Sequence, residues 1–160
     1  MAALAASFML LSYFPYLTYA IPAVSGLFIM ITVIELGNKW ALGSYCASVL
    51  PIILFAEIEC KLLYIMFFGF YPVVKAATEK IRKPVIEWPV KIAVFNLAVL
   101  LTYMFFAKLF DISLEEFNEF GKYSAVLFLL AGNIVFVLYD IAVSRMAMFY
   151  LVVIKPKFKF

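Results

Sequence analysis

Long apolar runs separated by short polar breaks make up most of this chain. The breaks lie at 35–39, 57–61, 75–91 and 108–122. A helix that crosses the hydrocarbon core of a bilayer needs about 20 mainly apolar residues, within a range of about 17–25. The pattern therefore predicts an all-α, polytopic membrane bundle of about six transmembrane helices, at 2–18, 21–36, 40–56, 61–75, 91–109 and 122–143.

The first two predicted spans leave two possibilities open. Residues 2–36 offer about 17 positions to each helix, which is the lower limit for a span. Pro15 and Pro22 lie at the joint, and no charged residue separates the two apolar runs. The stretch forms either two full spans or one span plus a re-entrant segment that is buried against protein.

Composition supports a membrane protein. Apolar residues make up 68% and charged residues 14% of the chain, against roughly 45–50% and about 25% in soluble domains. With a mean hydropathy of +1.08, too little polar surface remains to cover a soluble globule of 18.2 kDa. We expect residues 1–160 to form one transmembrane domain in the cell (plasma) membrane.

The distribution of lysine and arginine predicts the orientation, because cytoplasmic loops carry an excess of both. With both termini in the cytoplasm, three basic residues fall outside: Lys61, Lys108 and Lys122. The other ten fall inside, in the basic loop 75–91, in the basic tail 144–160 and at Lys39. The predicted outer loop at 110–121 is acidic, with Asp111, Glu115, Glu116 and Glu119.

The end of the last span places Asp140 and Arg145 at the inner interface. Residues 146–154 and the following KPKFKF then continue into or along the cytoplasmic headgroups. Basic residues interleaved with phenylalanine suit an anionic lipid surface. An ordinary positive-inside tail explains the same pattern.

Residue chemistry argues against an enzyme, a cofactor or a metal site. The chain has no histidine, and its two cysteines, Cys46 and Cys60, do not have metal-ligand spacing. It also has no glycine-rich phosphate loop. A net charge of +3 is too small and dispersed for nucleic-acid binding. A membrane enzyme that acts on lipid would need acid–base groups at one depth, for which Glu57 and Glu59 are the only outer candidates next to a span.

Few polar side chains lie deep inside the predicted spans. Asn133 is near mid-membrane, Asn96 lies about five residues into the fifth span, Tyr103 lies further out, and Tyr64 is just inside the outer end of the fourth span. Such groups face the bundle interior because lipid offers them no partners. We expect either a small substrate pocket in the outer half or interhelical hydrogen bonds worth roughly 0.6 kcal/mol per pair.

Glu57, Glu59 and Lys61 cluster at the predicted outer turn between the third and fourth spans. A pair of carboxylates beside a lysine suits a cationic group on a ligand, which makes Glu57 a further candidate substrate-binding residue. A solvated rim is the alternative.

Small residues at Ala2 and Ala6, with Ala3 and Ser7 alongside, lie four positions apart on the first helix. This spacing allows close approach of another helix. Ala2 and Ala6 are therefore candidate partner-docking residues.

Several strings give the chain a family resemblance. AALAA opens the first span, and VIELGNKWAL (33–42), FFGFYPVVKA (67–76) and GNIVFVLYDIAVSR (132–145) follow. With six short spans, both ends inside and a basic inner loop, the chain resembles an S component. S components are the substrate-binding membrane subunits of energy-coupling factor (ECF) transporters, and the strings also resemble small S-component-like bacterial membrane proteins.

The resemblance implies a small-molecule substrate that enters from outside, into a pocket formed by the outer halves of the later helices. It also implies that the Ala2/Ala6 face docks on a transmembrane coupling subunit, and that two partner ATPase subunits hydrolyse ATP. The spans contain few polar side chains, which favours a vitamin-like or rather apolar substrate. The alternative from another class is a structural or assembly subunit that docks partner helices and transports nothing.

Overall fold

The computed structural model describes residues 1–14, 17–81, 83–110 and 124–157. About 90% of the structure is helical, which confirms the all-α fold class. The first half contains α1 (Ala2–Met9) with a following 3₁₀ turn (Leu10–Tyr13), α2 (Ala20–Leu36) and α3 (Asn38–Phe55). The second half contains α4 (Ile58–Leu63), a π-turn (Tyr64–Phe68), α5 (Tyr71–Glu79), α6 (Pro84–Phe110), α7 (Ser124–Phe149), a second π-turn (Tyr150–Ile154) and a 3₁₀ turn (Lys155–Lys157).

Within these described ranges, three helical stretches are long and apolar enough to cross a membrane: Ile58–Glu79, Val85–Met104 and Leu129–Lys157. Ala2–Tyr13 and Ala20–Leu36 are shorter apolar helices. The helices therefore support a membrane protein. Six spans stay a prediction.

The first segment is shorter than the sequence predicts. Its helical part ends at Tyr13, and Phe14 has an extended backbone (φ −80°, ψ 116°). The ring of a proline disfavours helical geometry in the residue before it, so Pro15 accounts for this end. Ala2–Tyr13 has 12 residues and is about 18 Å long, well below the roughly 30 Å of a bilayer core.

Hydrogen bonds at segment ends show that the first four segments alternate in direction. The Tyr13 hydroxyl donates to Phe55 O (2.9 Å), and the Cys60 thiol donates to Thr18 O (3.2 Å). The end of segment one therefore meets the end of α3, and the start of α2 meets the start of α4. We call this the turn end of the bundle.

The opposite end carries different contacts. The Asn38 amide, at the start of α3, donates to Val73 O in α5 (3.3 Å). Lys155, after α7, forms an ion pair with Glu35 at the end of α2 (3.2 Å). We call this the network end. Contacts between α6 and α7, described below, make these two helices antiparallel as well.

A π-turn interrupts the helical stretch Ile58–Glu79. Gly69 N donates to Tyr64 O (2.8 Å), which closes the π-turn, and Pro72 has no N–H for Phe68 O. Two other segments contact the backbone of this irregular stretch. The Tyr45 hydroxyl donates to Ile65 O (2.7 Å), and Phe68 O lies directly against Gly26 of α2.

A single residue, Gly37, separates α2 from α3. Its backbone has φ 86° and ψ 173°, a region that is essentially restricted to glycine. Gly37 N donates to Val33 O and Gly37 O accepts from Ala41 N, so both helix ends are satisfied within one residue.

The core contains two apolar clusters. One joins α1, α2, α3 and α4 around Met9, Ile21, Ile52 and Tyr64. The other joins the π-turn, α5, α6 and α7 around Phe67, Tyr71, Ala98 and Phe136. Outside these clusters, large apolar side chains such as Leu54, Leu127 and Val135 are exposed. A lipid-facing surface has this composition.

Candidate functional site

Among the described residues, the largest group of buried charges lies between α5, α6 and α7. One oxygen of the Asp140 carboxylate accepts hydrogen bonds from Lys75 Nζ (2.5 Å) and the Tyr71 hydroxyl, and the other accepts from Lys91 Nζ (3.3 Å). All four residues are buried: Asp140 is 3%, Lys75 5%, Lys91 1% and Tyr71 0% exposed. We call these four residues the ionic network.

Two glutamates at the edge of the ionic network pair with its lysines. Glu79 pairs with Lys75 (2.8 Å) and Lys91 (3.4 Å), and Glu87 pairs with Lys91 (2.6 Å). The side chain of Glu79 is 45% exposed and that of Glu87 is 19% exposed. Two buried lysines therefore face three carboxylates, and every carboxylate has a lysine partner.

Local helix geometry positions these groups. Tyr71, Lys75 and Glu79 are each four residues apart on α5, so they lie on one face. Glu87 and Lys91 have the same spacing on α6 and form the favourable order of acid before base. Asp140 then joins both faces from α7.

An aromatic layer lies next to the network. The rings of Phe95 and Phe136 stack with centroids 4.7 Å apart and an interplanar angle of 12°. Phe67 contacts both rings, and its centroid lies 4.9 Å from that of Tyr71. Tyr71 thus has its ring in the aromatic layer and its hydroxyl on Asp140. Together, the layer and the network fill the space between α5, α6 and α7 at the network end.

Asn96 and Asn133, two candidate substrate-binding residues, come together in the structure. Each amide donates to the oxygen of the other, at 3.3 Å and 3.1 Å. Each also donates to a carbonyl one turn earlier, Ile92 O (2.9 Å) and Leu129 O (2.7 Å). Asn133 precedes Asp140 by seven residues, so the amide pair lies about 10 Å from the network toward the turn end.

Tyr64 lies in the other apolar cluster, where it is fully buried. Its hydroxyl shares a 2.8 Å hydrogen bond with Ser48 Oγ. Tyr103 is half-buried on α6, seven residues after Asn96 and so on the same helix face. No hydrogen bond in the described part of the chain links Tyr64 with the asparagine pair, and their shared pocket stays a prediction.

Glu57 is half-exposed at the N-cap position of α4, at the turn end. Its backbone N–H donates to Ser12 Oγ (3.1 Å), and its carboxylate accepts a weak hydrogen bond from the Cys60 thiol (3.6 Å). Lys61 Nζ donates to Ile53 O (3.2 Å). The structure thus gives each of these groups a local partner.

The candidate docking residues differ in exposure. Ala2 and Ala6 are half-buried, and Ala6 packs against the cluster that contains Ala5 and Met9. Ala3 and Ser7, one position further round the helix, are exposed. The part of this small-residue patch that another helix can reach is therefore centred on Ala3 and Ser7.

An open groove of about 270 Å³ lies at the network end, beside the start of α1. It is lined by Met1, Ile31, Thr32, Glu35, Leu36 and Ser44. Thr32 Oγ1 already donates to Phe28 O, and Glu35 is paired with Lys155. Among the described residues, no group of three or more Cys, Asp or Glu side chains is arranged to hold a metal ion.

The ionic network is the feature that the sequence does not predict. From the sequence, Lys75 and Lys91 are expected at the edges of a basic loop and Asp140 at the membrane interface. The i,i+4 pairs at Lys75/Glu79 and Glu87/Lys91 were one available signal, because they extend α5 and α6 into that loop. A single aspartate inside the last apolar run was another, because such a group needs a buried partner.

Comparisons with protein-family models, with curated proteins and with solved structures found no match to this chain.

Proposed function

We propose that this chain is the substrate-binding membrane subunit of an ECF-type importer, which binds a small molecule from outside and depends on partner ATPases. The observation that carries the proposal is the difference between the two ends of α5, α6 and α7. Paired charges and stacked aromatic rings fill the network end. The half-buried amides of Asn96 and Asn133 lie closer to the turn end.

This asymmetry supports access from one side. A ligand that approaches between α6 and α7 from the turn end meets Tyr103 and then the amide pair. Further entry is blocked by Phe95 and Phe136 and, beyond them, by the ionic network. Amide donors and acceptors inside an apolar bundle bind a ligand with few polar atoms.

The membrane topology is part of the same proposal. In this proposal six segments alternate in direction, with Met1 and Lys157 at the network end, where the sequence has its excess of lysine and arginine. We assign that end to the cytoplasm and the membrane to the plasma membrane. α2 and α3 have 17 and 18 residues, or about 25–27 Å, which suits a short span. The shorter α1 packs against both and crosses part of the bilayer.

Partner docking is proposed on the exposed small-residue face of α1. Ala3 and Ser7 let a partner helix come close, and Ala2 and Ala6 border the contact. The partner in this proposal is the transmembrane coupling subunit, which connects the chain to two ATPase subunits.

A second candidate is a structural or assembly subunit without a substrate. One observation favours it: the candidate binding groups already satisfy each other, as Asn96 does with Asn133 and Tyr64 with Ser48. In this case the same hydrogen bonds hold the bundle together.

The two candidates are separated by purifying the tagged full chain from its native host in a mild detergent. Mass spectrometry then identifies retained small molecules and copurifying proteins. The importer predicts a retained small molecule together with ATPases, and Asn133→Leu lowers its retention. Asn38→Leu is the matched control, because it removes an amide at the network end. Absence of both a ligand and ATPases contradicts the importer.

A further inference from the structure

Acidic side chains at the network end are paired within the protein. Glu79, Glu87 and Asp140 bind the buried Lys75 and Lys91, and Glu35 binds Lys155. Because three of these carboxylates face two lysines, the acids offset only one positive charge at this end beyond their own partners.

The exposed cations are left without such partners. In the described ranges, no ion pair involves Lys39, Lys80, Lys83, Arg145 or Lys157, and all five are exposed. They also lie at one end of the bundle. Lys39 follows Asn38, which contacts α5, Lys80 and Lys83 lie between α5 and α6, and Arg145 and Lys157 follow Asp140 on α7 and its extension. We call these five residues the cationic rim.

The extension of α7 contacts the end of α2 through Lys155 and Glu35. Asp140 and Lys155 are 15 residues apart, or about 22 Å along a helix. Their partners, Lys75 and Glu35, both lie within three residues of the contact between Asn38 and Val73. The stretch from Asp140 to Lys155 therefore connects the contact with α5 to the contact with α2 at this end of the bundle.

The exposed side chains of residues 146–152 are apolar. Met146, Met148, Phe149 and Val152 are 45%, 67%, 50% and 68% exposed. A helix that lies in the interface buries such a face at the boundary of headgroups and acyl chains and keeps its cations at headgroup level. Arg145 before this face and Lys157 after it match that arrangement.

We propose that the cationic rim and the apolar face of residues 146–152 form a binding surface for anionic phospholipid headgroups of the adjoining leaflet. The charge that complements the rim is a lipid phosphate, because the apolar face next to it requires acyl chains as neighbours. The proposal uses no substrate, and it depends on the membrane location but not on the importer.

The test is lipid retention by the full chain, measured by native mass spectrometry from a neutral detergent with equal amounts of phosphatidylglycerol and phosphatidylcholine. Wild type retains more phosphatidylglycerol. The variant Lys80→Gln/Lys83→Gln/Lys157→Gln lowers this preference about a hundredfold. The control Lys61→Gln/Lys108→Gln/Lys122→Gln removes the same net charge at the other end of the sequence-predicted topology and keeps the preference.

Two further measurements test whether the binding is electrostatic and whether it requires a lipid instead of a free phosphate. Raising the salt concentration weakens the wild-type preference, because the cations are exposed, and this arm holds even if the triple variant does not fold. An excess of soluble sn-glycerol 1-phosphate displaces no lipid. The proposal is overturned if wild type shows no preference, if the rim variant folds and keeps it, if the control loses it equally, or if glycerol phosphate competes.

Discussion

Lys75 of α5 and Asp140 of α7 form an ion pair of 2.5 Å with side chains only 6% and 5% exposed. Removing two charges from water costs several kcal/mol per ion, and only close pairing with further hydrogen bonds offsets this cost. Tyr71 and Lys91 supply those hydrogen bonds to Asp140. The pair therefore fixes how α5 and α7 meet, and neither partner is replaceable alone.

Asp140→Asn leaves Lys75 and Lys91 without their shared carboxylate. We expect a loss of about 1–3 kcal/mol in the free energy of unfolding, because both lysines lose a charge-assisted hydrogen bond but keep Glu79 and Glu87 as partners. Titration with a denaturing detergent in mixed micelles, followed by tryptophan fluorescence, measures this loss. Lys80→Met is the control, since Lys80 is an exposed lysine next to the same helix, and it changes the free energy by less than about 0.5 kcal/mol.

A double-mutant cycle separates pairing from burial. Lys75→Met combined with Asp140→Asn is expected to cost less than the sum of the single losses, because both members of the pair become neutral. Additive losses, within about 0.5 kcal/mol, would show that the two side chains do not interact in solution.

Gly26→Ala tests the close approach of α2 to the π-turn at Phe68. A Cβ at position 26 would clash with the backbone carbonyl of Phe68, which no side-chain rotation relieves. We expect a loss of about 1–3 kcal/mol, typical of overpacking. Gly43→Ala is matched to it, since its Cβ would meet nothing within 4 Å, and alanine there is neutral or stabilising by up to about 1 kcal/mol. Equal effects of the two substitutions would contradict this packing.

Ser48→Ala removes the partner of the buried Tyr64 hydroxyl. A buried polar group without a partner costs about 1–3 kcal/mol, so we expect a loss of that size. Tyr64→Phe added to Ser48→Ala removes the unpaired hydroxyl and recovers part of the loss. If the second substitution recovers nothing in the same unfolding assay, the hydroxyl pair does not exist in the membrane-extracted protein.

Hydropathy predicts the helices well, because in lipid each long apolar run must form the hydrogen bonds of its own backbone groups. α2 and α3, for example, begin and end within two residues of the predicted segments at 21–36 and 40–56. The predicted loop at 75–91 differs more. Helices extend to Glu79 and start again at Pro84, because a proline is favourable in the first helical turn and Glu87 pairs with Lys91.

Pairing between helices is harder to read from one sequence. The Asn96–Asn133 contact follows from the expectation that both amides face the bundle interior. The contact of Asp140 with Lys75 and Lys91 depends on how three helices are rotated and aligned, and hydropathy does not encode either. A charge count assigns both lysines to the inner surface, although the structure buries them.

We propose that the bundle crosses the plasma membrane with the network end in the cytoplasm. Cysteine labelling in a Cys46→Ala/Cys60→Ala background tests it most directly, with a membrane-impermeant maleimide on intact cells. We predict that Tyr19→Cys and Glu59→Cys, two exposed positions at the turn end, react from outside. Lys83→Cys is predicted to react only after permeabilisation. Labelling of Lys83→Cys in intact cells, or of Tyr19→Cys only from inside, would contradict the claim.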